Sequence, residues 1–341
     1  MDADTPQQAP SSDAIDGCAK PVVAAICCAT RRRPAMLRAL LDSWACLEFP
    51  PGVVPLFVVV ENDTAALNAA AVEEFRSRLG LGDALYLVEP EIGIPYARNA
   101  AVGAALSRGA KIICFVDDDE TVARDWFMQL HSTCCRTGAQ LIGGPVRAGP
   151  VGAAASAWRR MVVAGIGSRY AMVEGKARRR MRRPGSKTTI VTNNWFADAD
   201  LFTAHGLSFD RSLRYSGGSD TKFFRDAVAS GVRIAWSPDA IVYETIAPER
   251  ATLGYQFWRA SEQSKNSVRA KILARGRARE LPALVLLTSG RLAGMIFLLV
   301  AAPFTGGRSL VPLVRAAGWI VGRIAGFLGY SSNLYRYETG F

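Results

Sequence analysis

The chain has few of the residues that build zinc sites and disulfide frameworks. Its 341 residues include two histidines and seven cysteines, and no two cysteines stand in a Cys-x-x-Cys spacing. A Cys/His zinc site is therefore not expected. Several cysteines lie in apolar runs, where the thiol acts as a small hydrophobic group, so we predict reduced thiols and no disulfide framework. His131 and His205 lie outside every motif used below, and we expect both to be structural.

A dinucleotide fingerprint and a secretory signal are also missing. The first apolar run, at 21–30, is followed by "RRRPAML", where a Rossmann oxidoreductase would have Gly-x-Gly-x-x-Gly. This argues against a dinucleotide-dependent dehydrogenase. The N-terminal stretch has no basic n-region and no apolar core, so a signal peptide is not expected. We predict instead a disordered leader over residues 1–20.

Half of the residues are hydrophobic, and their pattern predicts strands that alternate with helices. Short apolar runs indicate buried strands, and the segments between them carry apolar residues at helical spacing. Strands are predicted at 21–30, 54–63, 84–90 and 111–120. Alternation at this pace is typical of an α/β fold with a mostly parallel sheet and flanking helices.

Acidic side chains follow two of these strands. Four carboxylates at 117–120 end the fourth strand, and Glu61 and Asp63 end the second. Ligands of open α/β sheets bind outside the carboxyl ends of the strands. If the strand geometry continues, Asp117 and Asp119 point to the same side, where they would suit a divalent cation. The alternative is a solvated acidic turn at the start of the next helix.

Two chemistries fit the acidic triplet taken alone. One is glycosyl transfer, in which an Asp-x-Asp pair holds a metal on the diphosphate of a nucleotide sugar. The other is phosphoryl transfer of the haloacid dehalogenase type, with Asp117 as nucleophile in Asp-x-Asp-x-Thr. The position of the triplet on the fourth strand favours the first. A membrane-associated scaffold without activity is a third reading.

Several short stretches, in order and spacing, resemble the bacterial family 2 glycosyltransferases of the GT-A fold. Within that family the chain is most similar to the group of succinoglycan-type exopolysaccharide glucosyltransferases. The resemblance runs from about residue 22 to about residue 260. The stretches that carry it are "CCATRRRPAMLRALLDSW", "VVVENDTA", "GIPYARNAAV", "FVDDDE", "LIGGPV", "TNNWF" and "SGGSDTKFFRDAVASGVRIAWSPDAIVYE".

The resemblance implies a catalytic base, a donor site, an acceptor site and a divalent metal, Mn²⁺ or Mg²⁺. Asp220 takes the position of the base, and an N-cap of the next helix is its structural alternative. Asp119 and Glu244 are the implied metal ligands. The implied donor-binding residues are Thr30, Glu61, Asp63, Arg98, Asn99, Asp117 and Asp118. The implied acceptor-binding residues are Asn194, Gln256, Trp258 and Arg259.

The chain departs from the family pattern at four positions. Glu61 stands where aspartate is usual, and Ser219 replaces the glutamate of a "GGED"-like stretch. Glu244 stands where many relatives have histidine. Ala260 replaces the tryptophan of a Gln-x-x-Arg-Trp element. The Ser219 and Glu244 departures keep the inactive-scaffold reading open.

The C-terminal quarter is basic and apolar. Residues 251–341 hold 12 Lys/Arg against 3 Asp/Glu, a net charge of +9 out of +11 for the whole chain. The apolar segment 281–304 is interrupted by Arg291. A later segment places Arg308, Arg315 and Arg323 within one arc of a helix. This combination suits helices lying on an anionic membrane surface, and the alternative is two helices packed on the catalytic domain or on a second subunit.

These patterns predict the organisation and the partners of the chain. A catalytic domain is expected at 21–265, with a nucleotide-sugar half at about 21–125 and an acceptor half at about 126–265. A membrane-associating helical region is expected at 266–341. With the resemblance, they imply a nucleotide-sugar donor, a lipid-linked glycan acceptor and the cytoplasmic face of a bacterial inner membrane, bound peripherally or by a re-entrant segment. We interpret the basic stretch 175–187 as a loop. It has no interleaved aromatic residues, so we expect no nucleic acid as a partner.

Overall fold

The computed structural model describes residues 21–152, 154–182, 188–214 and 217–330. The predicted leader lies outside the described residues. The strands are β1 (Val22–Thr30), β2 (Val53–Glu61), β3 (Asp83–Val88), β4 (Ile112–Val116), β5 (Glu120–Val122), β6 (Leu141–Gly143), β7 (Val146–Ala148), β8 (Asn194–Asp198), β9 (Ile234–Trp236) and β10 (Val242–Glu244). The α-helices are α1 (Pro34–Trp44), α2 (Ala69–Ser77), α3 (Ile94–Ser107), α4 (Trp126–Thr137), α5 (Ala157–Met181), α6 (Asp200–Thr203), α7 (Ser219–Ala229), α8 (Leu253–Arg275), α9 (Arg277–Val300) and α10 (Leu310–Leu328).

The main sheet has seven strands in the order β3-β2-β1-β4-β8-β6-β9. β1 is parallel to both β2 and β4, and β2 is parallel to β3. β8 is antiparallel to its two neighbours, whereas β6 and β9 are parallel. This confirms the predicted α/β fold with a mostly parallel sheet. The strand order reverses between β1 and β4, and the carboxyl ends of strands at such a switch point form the ligand crevice of open sheets.

Two apolar clusters, one on each face of the sheet, hold the helices. In the first, the ring of Trp44 from α1 stacks on Phe57 of β2 at 5.3 Å. In the second, Trp195 of β8 meets the edge of Phe223 of α7 at 5.0 Å. Side chains of β1 alternate between the two clusters, as burial on both faces requires. The cysteines that the structure describes are free thiols, as predicted.

β4 ends at Val116, so the strand does not continue through the acidic triplet as predicted. The backbone N–H of Asp117 donates to Oε2 of Glu120 at 2.8 Å. The backbone N–H of Thr245, directly after β10, donates to the carbonyl oxygen of Asp119 at 2.7 Å. Neighbouring carboxylates repel each other, and the turn places each of them beside a hydrogen-bond donor.

A small second sheet, in the order β5-β10-β7, closes the crevice on one side. β5 and β10 are antiparallel, and their register places Glu244 opposite Glu120. The pairing thereby brings the end of β10 to the acidic turn, across more than 120 residues of sequence.

The basic stretch at 175–187 is helical as far as Met181, which corrects the predicted loop there. α5 begins at Ser156, whose hydroxyl accepts a hydrogen bond from the backbone N–H of Arg159 at 3.2 Å. Basic side chains near the C-terminus of a helix interact favourably with the helix dipole, so the arginine run suits the end of α5. Residues 183–187 of the stretch lie outside the part of the chain that the structure describes.

Three glycines let α10 lie directly against α8. Gly318, Gly322 and Gly326 follow each other at four-residue spacing on one face of α10. A Cβ atom on Gly318 would stand 2.1 Å from the carbonyl oxygen of Phe257, and one on Gly322 would stand 2.0 Å from that of Ser261. α10 therefore packs on the catalytic part of the chain, which is the alternative stated above. α8 itself runs unbroken through the predicted boundary at residue 265.

α9 and α10 are both long and apolar enough to cross a membrane, but they differ in burial. None of the apolar window of α9 is buried, against 33% of that of α10. The exposed apolar side chains on and next to α9 include Leu281, Leu286, Ile296, Phe297, Val300 and Phe304. α9 thus presents a long apolar surface.

The arginines of α10 face other helices. Arg323 is 2% exposed and lies 3.8 Å from the carboxylate of Glu280 in α9. The ring of Trp319 stands between the guanidinium groups of Arg291 and Arg323, at 3.8 and 4.9 Å. Arg291 and Arg323 therefore contact side chains of neighbouring helices. Arg323 does not face lipid, contrary to the predicted arc of arginines on α10.

Candidate active site

The crevice between the ends of β1 and β4 holds the acidic triplet. The hydroxyl of Thr30, the last residue of β1, donates to Oδ2 of Asp118 at 2.9 Å. Both side chains are buried, with exposures of 2% and 4%. Sequence analysis predicted both at the donor site, and the fold brings them together across 88 residues.

Two arginines neutralise the central carboxylates. Arg33, directly before α1, donates from Nη1 to Oδ1 of Asp118 at 2.8 Å and to Oδ2 of Asp119 at 3.3 Å. Arg250, before α8, donates to the same Oδ2 of Asp119 at 2.6 Å. Burial nevertheless raises the pKa of the Asp118 carboxyl to about 6, because removal from water outweighs the nearby guanidinium.

Asp117 lies near Arg98 of α3 and Asp220 of α7. Its Oδ1 accepts from Nη2 of Arg98 at 3.2 Å. Burial raises the pKa of Asp117, the Arg98 charge opposes that rise, and repulsion from Asp119 and Asp220 adds to it. Asp220 is therefore close enough to act electrostatically on the triplet. It lies in the first turn of α7, whose N-cap is Gly218, so Asp220 is not the N-cap.

The acidic residues after β2 are engaged by neighbouring side chains. Glu61 is fully buried, and its Oε2 accepts hydrogen bonds from Asn68 and from the hydroxyl of Tyr86. Asp63 accepts from Nε of Arg32 at 2.7 Å, and that contact lowers the pKa of its carboxyl. The carboxylate of Glu61 thus forms buried hydrogen bonds beneath the crevice. Asp63 forms ion pairs with the arginines that follow β1.

The two predicted metal ligands lie beside the same guanidinium group, that of Arg250. Nη1 of Arg250 lies 2.6 Å from Oδ2 of Asp119 and 3.9 Å from Oε1 of Glu244. The other oxygen of Glu244 accepts a hydrogen bond from the hydroxyl of Tyr170 in α5. Within the described residues no set of three or more His, Cys, Asp or Glu is arranged to hold a metal. The donor set therefore fits a cation bound by one or two carboxylates together with phosphate oxygens, as is usual for Mg²⁺.

The predicted acceptor residues of α8 lie beside this site. The side-chain amide of Gln256 donates to the carbonyl oxygen of Arg250 at 2.9 Å, and its oxygen accepts from Arg315 of α10 at 2.8 Å. Trp258 packs on Tyr255 with ring centroids 5.6 Å apart, and Nη1 of Arg259 donates to the Tyr255 hydroxyl at 3.0 Å. Burial raises the pKa of the Glu244 carboxyl, and the nearby charge of Arg259 partly offsets this rise.

The comparison with curated proteins decides the family. Over 226 residues the chain is 33% identical to the succinoglycan biosynthesis protein ExoM of Rhizobium meliloti, a match that covers 66% of this chain and 68% of that protein. The chain belongs to the family 2 glycosyltransferases. No family model matches the sequence.

Solved structures of glycosyltransferases share the fold. A mannosyltransferase of Pyrobaculum calidifontis, in complex with GDP-Man and Mn²⁺, matches with a TM-score of 0.56 and 17% identity, covering 97% of this chain and 92% of that one. TarS 1-349 of S. aureus matches with a TM-score of 0.50 and 13% identity, covering 91% and 92%. At these identities the likeness shows the GT-A-like fold alone.

Two residues predicted to contact substrates have structural roles in this glycosyltransferase. Asn99 exchanges two hydrogen bonds with the backbone of Phe209, at 2.8 and 2.9 Å. Asn194 is 2% exposed, accepts from the indole of Trp126, and donates to the carbonyl oxygens of Pro145 and Ala240. Their amides are used inside the protein, so the structure does not support the predicted donor contact of Asn99 or the acceptor contact of Asn194.

Replacement of Asn194 with alanine is therefore expected to destabilise the enzyme. The change leaves a buried indole N–H and two carbonyl oxygens with fewer partners, at a cost of about 2 kcal/mol in the free energy of unfolding. Chemical denaturation followed by circular dichroism measures this. The affinity of the folded variant for UDP is expected to equal that of the wild type, whereas an acceptor residue would change turnover and leave stability intact.

Sequence reasoning missed three residues that shape the glycosyltransferase site. Arg33 and Arg250 hold the carboxylates, and Tyr170 holds Glu244. The run "RRRP" directly after β1 was a usable signal for Arg33, because it stands at the carboxyl end of a central strand. Arg250 and Tyr170 lie far along the chain from the acids they meet, and nothing local marks them.

Proposed function

We propose that this enzyme moves a hexose from a nucleotide diphosphate donor, UDP-linked, to a hydroxyl of a lipid-linked glycan in the synthesis of an exopolysaccharide or other surface polysaccharide. The transfer inverts the anomeric configuration. The observation that carries the proposal is that Asp119 and Glu244 both lie within 4 Å of the Arg250 guanidinium, at the switch point of the sheet.

The donor diphosphate is expected at this point. Asp119 and Glu244 would hold a divalent cation there, and its charge would offset the charge that develops on the leaving diphosphate. The archaeal mannosyltransferase of the same fold is described with GDP-Man and Mn²⁺, which agrees with a metal of this kind. The carboxylate of Asp118 orients the end of β1 through its bond to Thr30.

The crevice beside β1 suits the rest of the nucleotide. Arg31 and Arg32 follow β1 directly, and both lie within 4 Å of the Asp63 carboxylate. Among the described residues, the buried Nε of Arg31 has no hydrogen-bond partner. Arginine donors suit a ribose and phosphate environment, so this side of the crevice is assigned to the nucleoside.

Asp220 is assigned as the general base. It lies at the start of α7, half-exposed, within electrostatic reach of Asp117. A carboxylate there accepts the proton of the acceptor hydroxyl as that hydroxyl attacks the anomeric carbon. In an inverting transfer the acceptor hydroxyl attacks the face of the anomeric carbon opposite the leaving diphosphate, so this role requires Asp220 to lie on the acceptor side.

The exposed apolar surface of α9 is assigned to the membrane. α9 is 24 residues long and carries Arg291 within it, so we place it on or re-entering the membrane and not across it. Docking there holds the crevice at the level where lipid-linked glycans emerge, on the cytoplasmic face of the bacterial inner membrane. The basic charge of residues 251–341 favours an anionic surface.

The Asp119→Asn variant tests the donor site. Asparagine keeps the shape of the side chain and removes its charge, so we expect the affinity for UDP in the presence of Mn²⁺ to fall about tenfold or more. Isothermal titration with Mn²⁺ and then with EDTA measures it. Asp125→Asn, a matched change six residues away, is expected to bind UDP as the wild type does. Metal-dependent UDP binding that survives in Asp119→Asn would contradict the assignment.

A further inference from the structure

α5 and α10 pack along a seam, and a surface cavity lies beside it where α5 meets the segment that joins α9 and α10. The cavity has a volume of about 600 Å³. Its lining combines two cationic side chains, Arg160 and Arg308, with the apolar side chains of Met161, Ala164 and Phe304. The rest of the described lining is Thr305 and Gly306, so no carboxylate of the described residues lines the cavity. This is the composition expected around an anion that carries an apolar chain.

The surroundings of the cavity are apolar and exposed. Phe304, after the end of α9, is 85% exposed, and Trp158, in the first turn of α5, is 54% exposed. Large exposed aromatic side chains next to arginines are typical of protein surfaces at the interface of a bilayer. The apolar face of α9 ends at this same point, so a lipid held there keeps its chain against α9.

The seam also leads from the cavity toward the catalytic crevice. Gly165 of α5 meets Val311 and the backbone of Arg308, and Gly307 meets Met161. One turn further on each helix stand Arg169 and Arg315. Neither of these two pairs with a carboxylate in the part of the chain that the structure describes.

The inner end of the seam is strongly positive. Arg315 donates to Gln256 at 2.8 Å and to Gln263 at 3.1 Å, two residues on the same face of α8 as Arg259. Burial, with repulsion from Arg169 and Arg259, lowers the pKa of Arg315 to about 10. At the next residue of α5, Tyr170 contacts Glu244 of the active site. At the rise of an α-helix the path from Arg160 to Tyr170 is about 15 Å, which a short oligosaccharide can span.

We propose that the cavity between Arg160 and Arg308 binds the phosphate groups of the lipid carrier to which the acceptor glycan is linked. The lipid chain leaves along α9. The glycan runs over the surface of α5 toward the crevice, because the seam itself is close-packed at Gly165 and Val311. This inference rests on the proposed function, since it names the site for the carrier of that acceptor. Arg160 and Arg308 also attract the anion before it is bound.

The test is titration of the full chain in detergent with farnesyl diphosphate, inorganic pyrophosphate and UDP with Mn²⁺. We expect farnesyl diphosphate to bind the wild type more tightly than pyrophosphate, because the cavity also holds an apolar group. In Arg160→Gln/Arg308→Gln its affinity is expected to fall at least tenfold, while that for UDP with Mn²⁺ stays the same. Arg38→Gln/Arg225→Gln removes two exposed arginines elsewhere and is expected to bind both as the wild type does.

Three results would overturn the inference. They are absence of farnesyl diphosphate binding, unchanged affinity in Arg160→Gln/Arg308→Gln, and displacement of farnesyl diphosphate by UDP, which would place it in the donor crevice. Pyrophosphate that binds as tightly as farnesyl diphosphate would identify a free-phosphate site instead. Failure of the Asp119 prediction is separate, because it changes only the UDP titration. Arg160 and Arg308 are exposed, and equal melting temperatures of the variants confirm that they fold.

Discussion

Replacement of Asp220 with asparagine is expected to lower turnover about 1000-fold and to leave the affinity for UDP unchanged. A positioned general base contributes roughly 10²- to 10⁴-fold to a rate, and asparagine cannot accept the proton of the acceptor hydroxyl. The side chain keeps its size and its contact with the backbone N–H of Thr221, so α7 is expected to keep its start. The measurement is UDP release from UDP-glucose with a lipid-linked oligosaccharide, together with UDP titration.

Asp226→Asn is the matched control, since Asp226 lies on the same helix and pairs with Lys222 away from the crevice. Its turnover is expected within about twofold of the wild type, because an exposed ion pair contributes little. If Asp220→Asn retained a tenth of wild-type turnover, Asp220 would not be the base. If UDP affinity fell with turnover, Asp220 would belong to the donor site.

The strands of the donor half could be predicted because each buried strand is a short apolar run in the sequence. The predicted run at 21–30 became β1, and the one at 54–63 became β2 with its end two residues earlier. The acidic residues after these strands were placed at the crevice by one rule about parallel sheets. The family assignment then followed from short stretches that the comparison with ExoM confirms.

The conformation of the acidic turn could not be predicted, because it depends on residues far away. Asp119 meets Arg250 across 131 residues, and its backbone is held by Thr245. Local alternation of side chains extended the strand too far, because it ignores the repulsion among four carboxylates. The internal hydrogen bonds of Asn194 and Asn99 could not be predicted for a related reason. A polar residue in a family motif can serve the substrate or a buried backbone, and only the tertiary contacts distinguish the two.

The C-terminal helices show the same limit in a different form. Composition predicted interfacial helices for both α9 and α10, but only α9 presents its apolar face fully. The glycine spacing of α10 was the overlooked signal. Glycines four residues apart let helix backbones approach closely, in membranes as in water. α8 is a polar helix that carries the ion pair of Glu262 and Lys265. α10 packs against this polar helix.

Replacement of Gly318 and Gly322 together with alanine is therefore expected to destabilise the protein by about 2 kcal/mol, the overpacking cost at two sites less the gain in helix propensity at both. Each methyl group would stand about 2 Å from a carbonyl oxygen of α8, which is far inside van der Waals contact, so the helices must separate. Overpacking of this kind costs about 1–3 kcal/mol per site, occasionally more, and exceeds the gain in helix propensity of less than about 1 kcal/mol. Guanidinium denaturation in detergent, followed by circular dichroism, measures the change.

Gly290 and Gly294 of α9 provide the matched control, since they have the same spacing and no atom within 4 Å of an added Cβ. Their double replacement with alanine is expected to leave stability unchanged or to raise it by up to about 2 kcal/mol. The comparison separates close helix packing from the intrinsic effect of glycine. If the α10 pair were as tolerant as the α9 pair, α10 would not lie against α8 as described, and Arg315 would not be held beside Arg259. Loss of stability confined to the α10 pair would instead show that α10 packs closely on α8, which holds Arg315 in place beside the active site.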